Sequence, residues 1–223
     1  MRVAALVSGG KDSALALHRA LTKELEVKFL VTMVPQRNDS WMFHFPNVHL
    51  THLFAEAAGI PLVEGETAGI KEEELKDLKK TLIPLDIDGV VSGSITSQYQ
   101  KQRIEAVCHE IGIKSITPLW NEDPKKLLQE LVELKFKVII TGVFAYGFDE
   151  RWLGRLIDAE TIKALLELSY KHQISLAGEG GEYETLVLDA PFFDRRIALT
   201  AAKKIWENGS GWLRVKKAHL LEK

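Results

Sequence analysis

The sequence predicts an α/β fold: a doubly wound parallel sheet, followed by a smaller α+β unit. Three patterns carry that reading. Apolar runs such as Val3–Val7 and Val27–Val34 look like strands covered on both faces, and they alternate with helical stretches from residue 1 to about 120. A glycine turn, Ser8-Gly9-Gly10-Lys11-Asp12-Ser13, follows the first run and opens a helix. From Glu184 onward the chain reads as strands joined by short turns.

Taken in order, Ser13 to Lys23 is a helix with Leu17, Ala20 and Leu21 on one side, and Val27 to Val34 is the second strand. Pro35 to Pro46 is a polar and aromatic loop containing Met42, Phe43 and His44, where His44 reads equally as a loop residue or a functional one. Val48 to Ala58 is a helix stopped by Gly59, and Pro61 to Val63 a short strand. Ile70, Leu75, Leu78 and Leu82 mark the inward face of a helix over 70–82. A strand over 88–92 ends in the Gly93 turn, then a helix spans Ser97 to Ile111 and a strand Lys114 to Thr117. The spacing places a unit boundary near 120, giving units of 1–120 and 121–223. Beyond it, Asp123 and Pro124 form a helix entry, Lys137 to Ala145 a strand, and Asp158 the cap of a helix to about Lys171. Strands are expected over 184–189, 192–200, 202–206 and 212–220, as an antiparallel sheet.

Composition excludes several classes. The 223 residues carry 29 Lys and Arg against 31 Asp and Glu, so the charge gives no support for broad nucleic-acid binding. No apolar stretch reaches membrane-spanning length, and the first residues run into a strand rather than a leader, so a cytoplasmic protein is expected. Cys108 is the single cysteine, which excludes internal disulfides, paired-cysteine zinc sites and a two-cysteine sulfur relay. It falls in the stripe Ile104, Val107, Cys108, Ile111, so core packing is its reading.

The 8–13 turn has the chemistry of an anion cradle. Gly9 and Gly10 let backbone approach a phosphate, and the N–H groups of the following helix point at it. Lys11 supplies charge, and Ser8 and Ser13 supply hydroxyls. The spacing is not that of a Walker A loop. Asp12 would repel a phosphate unless a cation such as Mg²⁺ lay between them. A second unusual stretch is Gly178-Glu179-Gly180-Gly181-Glu182-Tyr183-Glu184-Thr185, where acids crowd around glycines. Crowded carboxylates gain nothing from each other, which points to a site for a cation, a metal or a close backbone contact. Tyr99 and Arg103 share a helix face and either meet a nucleotide or face water. Trp152-Leu153-Gly154-Arg155, taken alone, reads as a core tryptophan and a surface arginine.

Ser8–Ser13 resembles the pyrophosphate-binding loop of the ATP pyrophosphatases, whose domain is of the HUP type. Together with Gly93–Glu105, the Trp152–Arg155 tetrapeptide and Gly178–Thr185, it resembles the diphthine–ammonia ligase family, in the compact form of its archaeal members. The likeness spans nearly the whole chain.

That resemblance implies ATP-dependent amidation, with ammonium, of diphthine on translation elongation factor 2, through an acyl-adenylate with release of AMP and pyrophosphate. It implies that Ser8, Gly9, Gly10, Lys11, Asp12, Ser13, Gly93, Tyr99 and Arg103 bind ATP, with Gly93 letting backbone come near the α-phosphate or ribose. Asp12 is the implied Mg²⁺ ligand. Lys11, Asp12, Glu182 and Glu184 are the implied catalytic set. Trp152, Gly154, Arg155, Glu179, Gly180, Gly181, Glu182, Tyr183, Glu184 and Thr185 are the implied substrate binders, with Trp152, Tyr183 and the two later acids suited to a trimethylammonium group. No nucleic acid and no membrane partner is expected, and a homo-oligomer is left open. Three other readings stay open: an ATP pyrophosphatase acting on tRNA, one acting on a small carboxylate, and a nucleotide-binding protein without turnover.

Overall fold

The structure, a computed structural model, describes residues 1–35, 47–70 and 73–223. Met42, Phe43 and His44 lie outside the described residues. Strands β1 (Arg2–Leu6), β2 (Glu26–Pro35), β3 (Leu62–Thr67), β4 (Gly89–Val91) and β5 (Lys114–Ile116) form a parallel sheet in the order β3-β2-β1-β4-β5. Successive side chains leave opposite faces of a strand. Val3 and Ala5 enter one apolar cluster and Ala4 the other, and Val91 and Val90 divide the same way. This double burial explains why these strands read as unbroken apolar runs.

One face is covered by α3 (Glu73–Leu82) and α4 (Gln98–Glu110), through Leu78, Leu82, Ile104, Val107 and Cys108. Burial pushes the Cys108 thiol up to about 11, the state of a packed and unreactive cysteine. The other face is covered by α1 (Lys11–Thr22), α2 (Thr51–Ala58) and α5 (Pro124–Glu133). Against these helices packs the second sheet. Its strands β6 (Lys137–Val143), β7 (Tyr183–Asp189), β8 (Arg195–Glu207) and β9 (Ser210–Glu222) run in the order β7-β6-β9-β8 and are antiparallel. Helix α6 (Ala159–His172) completes the layer through Ile162 and Leu165. One cluster, from Val3 to Val215, runs from the parallel sheet into the antiparallel one.

Helix ends follow their residues. Ser97, Asp123 and Asp158 accept from the backbone N–H of Gln100, Lys125 and Thr161 at the starts of α4, α5 and α6. Gly59, with φ +64°, stops α2 in the left-handed conformation. Arg19 joins α1 to α5: its guanidinium donates to Glu122 Oε1 (2.5 Å), Glu130 Oε2 (2.6 Å) and the Pro118 carbonyl (2.9 Å).

Three local expectations need correction. Ile70 is 47% exposed rather than inward. It lies ahead of α3, where its carbonyl accepts from the N–H groups of Glu73 and Glu74, so its side chain escapes the helical stripe. The expected strands 192–200 and 202–206 are one strand, β8, whose pairing with β9 shifts register between Leu199 and Ala202. The third strand continues to Thr67 rather than stopping at Val63.

Phe54, 1% exposed, meets Phe193 edge to face at 4.9 Å and so bonds α2 to the segment leading into β8. Phe54→Ala is expected to cost about 3–5 kcal/mol. Because the cluster is shared, heat should still unfold the variant in one transition when followed by circular dichroism; two separated transitions would contradict a common core.

Candidate active site

The 8–13 turn sits at the carboxyl end of β1. There the chain order reverses, with β2 and β3 built outward on one side and β4 and β5 on the other, the position at which open α/β sheets bind ligands. Gly9 turns the chain with φ +82°. The turn is internally bonded: Gly10 N–H donates to Ser8 Oγ (3.2 Å), Ser8 N–H to Ser13 Oγ (3.3 Å), and Ser13 Oγ to the Gly10 carbonyl (3.0 Å). Gly10 is the N-cap of α1 and has no side chain of its own to cap the first amides of this helix. The turn is also strapped to β7. Lys11 N–H donates to Thr185 Oγ1 (3.0 Å), and Val187 N–H to the Gly9 carbonyl (2.9 Å).

Lys11 is 4% exposed. Its ammonium donates to Asp12 Oδ2 (2.8 Å) and to the Ala177 carbonyl (2.5 Å), and lies 5.0 Å over the Tyr183 ring. Burial alone would lower its pKa, but Asp12 and the Tyr183 hydroxyl outweigh that and hold it well above the ordinary lysine range. It is a fixed cation, and two of its three N–H groups are used by these partners. Burial raises the Asp12 carboxyl, with Lys11 opposing.

In the second motif the acids have separate duties. Glu179 accepts from three successive backbone amides, Ile95 (2.7 Å), Thr96 (2.6 Å) and Ser97 (3.1 Å), and from Thr96 Oγ1 (2.7 Å). It clamps the 178–181 loop to the segment between β4 and α4. Glu182 accepts from the amides of Ser175 (3.1 Å) and Gly180 (3.0 Å), closing its own turn. Tyr183 is 3% exposed and donates to the Leu176 carbonyl (2.7 Å); burial pushes its hydroxyl up to about 12. Glu184 makes no hydrogen bond with its carboxylate among the described residues and faces the cavity. Burial pushes it up to about 7, with Lys11 pulling it down and Asp12 adding to the rise.

These segments enclose a cavity of about 550 Å³, within the usual range of ~300–1,000 Å³ for a small-molecule site. Ser8, Gly10, Lys11, Asp12 and Ser13 form one side, and Glu179 to Gly181 with Tyr183 to Thr185 the other. Leu6, Val31 and Met33 add an apolar wall at the strand ends.

Several expected site residues stand elsewhere. Gly93 lines the cavity, but its need for glycine comes from protein packing: a Cβ there would lie 2.7 Å from the Asp12 carbonyl carbon and the Ser13 nitrogen. Tyr99 packs on the cluster of Ile104 and Val107, with the Arg103 guanidinium 4.7 Å over its ring. Helix α4 turns Gln100 and Ile104, not Tyr99 and Arg103, to the cavity. Trp152 is 7% exposed, edge to face with Phe148 at 5.1 Å and 4.7 Å beneath the Arg155 guanidinium. Arg155 Nε donates to Thr161 Oγ1 (2.9 Å), and Gly154 N–H to the Ile140 carbonyl (2.8 Å). The tetrapeptide braces β6 and α6 and does not line the cavity.

Family comparison agrees with the whole-chain likeness. The model described as the diphthamide synthase N-terminal domain matches residues 1–115, and that of the diphthamide synthase C-terminal domain matches 123–221. The chain belongs to the diphthamide synthase family. The diphthine–ammonia ligase of Mus musculus is 33% identical over 251 residues, covering 100% of this chain and 94% of its own length. That of Schizosaccharomyces pombe is 35% identical over 239 residues, covering 97% of this chain and 39% of its own. Among solved structures, a predicted subunit of tRNA methyltransferase from Methanocaldococcus jannaschii superposes with a TM-score of 0.46 at 17% identity, over 85% of this chain and 97% of that one.

As a member of the diphthamide synthase family the chain is a ligase that forms a carbon–nitrogen bond. Among the described residues no group of three metal-ligating side chains comes together. One carboxylate beside a phosphate cradle suits Mg²⁺ carried in by a nucleotide, since that ion takes few protein ligands and several from phosphate and water. Asp12 fits that part. Sequence reading passed over Ser92, whose buried hydroxyl lines the cavity and has no hydrogen-bond partner among the described residues. Its position directly before Gly93 was the signal available.

Two outcomes follow for this diphthamide synthase site. Gly93→Ala forces the end of β4 away from α1, and should weaken ATP binding by roughly tenfold or more and cost ~1–3 kcal/mol of stability; calorimetric titration with ATP at wild-type affinity would show that this contact does not set the loop. The Glu184 carboxyl is raised on folding, so its contribution to stability is whole below its ordinary value and lost as pH rises through about 7. Glu184→Gln cannot ionise. Its melting temperature relative to wild type should therefore climb between about pH 5 and pH 8; a difference flat with pH would refute the buried-acid assignment.

Proposed function

We propose that this ligase uses ATP and ammonium to amidate diphthine on translation elongation factor 2, through an acyl-adenylate. The observation that carries this reading is the Lys11 ammonium, buried and fixed in a glycine turn that forms one wall of the cavity. Such a turn stabilises charge gathering on a leaving phosphate: helix amides and a lysine act where water is largely excluded.

In this reading the carboxylate oxygen of diphthine attacks the α-phosphorus of ATP. The bond from that phosphorus to the bridging oxygen breaks, and pyrophosphate leaves on the 8–13 turn. Ammonia nitrogen then attacks the acyl carbon, the carbon–oxygen bond to AMP breaks, and the nitrogen loses a proton. Lys11 and the α1 amides stabilise the departing pyrophosphate; Asp12 would hold Mg²⁺, which would supply charge neutralisation there. Glu184 is the motif acid left to meet the substrate, because Glu179 and Glu182 are engaged with backbone amides. The parallel-sheet unit holds ATP, and the 121–223 unit presents the substrate. The reading places the reaction in the cytoplasm, with no nucleic-acid or membrane partner. Near-balanced charge and the lack of cysteine pairs favour it over action on tRNA.

AMP formation from radiolabelled ATP tests the reading directly. With ammonium, elongation factor 2 carrying diphthine should yield AMP in step with a one-dalton mass loss, and the factor with unmodified histidine should yield none. Lys11→Met should fold and reduce AMP formation by about 10²–10³-fold, in line with removal of one group that stabilises transition-state charge. AMP produced without diphthine, or undiminished in Lys11→Met, would overturn the assignment.

A further inference from the structure

The second substrate of the reaction is ammonium, which must lose a proton before its nitrogen can attack. Among the described residues, the titratable side chains lining the cavity are Lys11, Asp12, Glu179, Tyr183 and Glu184. All but Glu184 are committed. The Lys11 ammonium and the Asp12 carboxylate hold each other at 2.8 Å. Glu179 accepts from three backbone amides and a hydroxyl. The Tyr183 hydroxyl donates to the Leu176 carbonyl. No histidine or cysteine lines the cavity among the described residues, so the commonest proton acceptor of neutral pH is missing there. The Glu184 carboxylate makes no hydrogen bond among the described residues. Its stem is held from behind. Gly142 of β6 stands opposite Glu184 of β7. A Cβ on Gly142 would come within 2.8 Å of Phe144 Cε2 and 3.1 Å of Glu184 Cβ. The Phe144 ring therefore fills the space over Gly142, and the Glu184 stem packs beside it at the sheet.

We propose that Glu184 binds the ammonium substrate and accepts its proton, delivering neutral ammonia to the acyl carbon. This rests on the amidation reading above. A carboxylate without a protein partner has its acceptor sites open to N–H donors, and ammonium offers only donors. Lys11 and Asp12, both from α1, are the charged groups acting on Glu184. Lys11 is a fixed cation, and a second cation near it is disfavoured. An ammonium drawn to Glu184 is thereby pressed to give up one proton, which leaves neutral ammonia beside a carboxylic acid. The nitrogen then bonds to the acyl carbon, and the carbon–oxygen bond to AMP breaks. The second proton lost by nitrogen leaves on the phosphoryl oxygen of AMP. Ammonium, carboxylate and acyl-adenylate thus become amide, carboxylic acid and AMP, with atoms and charge conserved. Glu184 returns its proton to water once the products have left.

The test compares two nitrogen nucleophiles on elongation factor 2 carrying diphthine: ammonium, and hydroxylamine, which is already neutral at neutral pH and needs no proton removed before attack. Products are read by mass, as amide or hydroxamate. Wild type should use both. Glu184→Gln should lose amide formation by about 10²–10⁴-fold, the usual worth of a positioned proton acceptor, yet form the hydroxamate at close to the wild-type rate. That hydroxamate also shows that the variant is folded and still makes the acyl-adenylate. Glu184→Asp, which keeps a carboxylate one methylene further back, should recover part of the amide rate. Equal loss with both nucleophiles, or amide formation undiminished in Glu184→Gln, overturns the role of Glu184 and leaves the amidation reading standing. If wild type makes neither product from diphthine, the amidation reading falls and this assignment falls with it.

Discussion

The phosphate cradle depends on one buried ammonium. Lys11 belongs to the first helix, yet its partners are a carboxylate next to it, a carbonyl at Ala177 and the ring of Tyr183. Taking an ammonium out of water is costly unless it is paired and hydrogen-bonded, so these partners must come together for the turn to exist in this shape. The cradle is therefore shared between the sheets. Thr185, through its hydroxyl, and Val187, through its N–H, add ties to the same turn, and Glu179 ties the far side of the cavity to the start of α4. Each tie is short and directional, and together they place a charge, a set of amides and an acid around one space.

What could be read from sequence follows a simple division. Features with local causes were legible. The glycine turn announces itself by residue type, the buried strands by unbroken apolar runs, and the caps at Asp123 and Asp158 by position. Features whose cause lies far along the chain were not. Glu179 and Glu182 look alike in sequence, and both look like ligands for a substrate. Only the fold shows that Glu179 is spent on amides 82 to 84 residues away, while Glu184, two positions beyond Glu182, is left facing the cavity. Trp152 and Tyr183 were judged by residue type, which says nothing of the arginine and lysine already lying on their rings.

Glycine showed the same limit in a different way. Gly93 was legible as a place needing close approach, but what approaches is the backbone of α1. Gly142 carried no signal, because an isolated glycine in an apolar strand has no periodicity to betray it. Its meaning comes from the ring that lies over it and the acid beside it. Helix α4 was placed correctly along the chain, but its rotation was not, which exchanged Gln100 and Ile104 for Tyr99 and Arg103 at the cavity wall. A rotation is set by what the helix packs on, and that packing is tertiary.

The strap between the first turn and the seventh strand has a consequence for the order in which the molecule is made. The groups that fix the turn lie 166 and 174 residues after it in sequence. Contacts of that span are closed late, because loop closure costs entropy before any contact repays it. During synthesis the parallel strands and their helices emerge first, but the cradle they carry stays without its carbonyl, its ring and its threonine hydroxyl until β7 has left the ribosome. A nascent chain can thus hold most of the nucleotide-binding sheet without a formed phosphate site, and an incomplete protein is spared from consuming ATP.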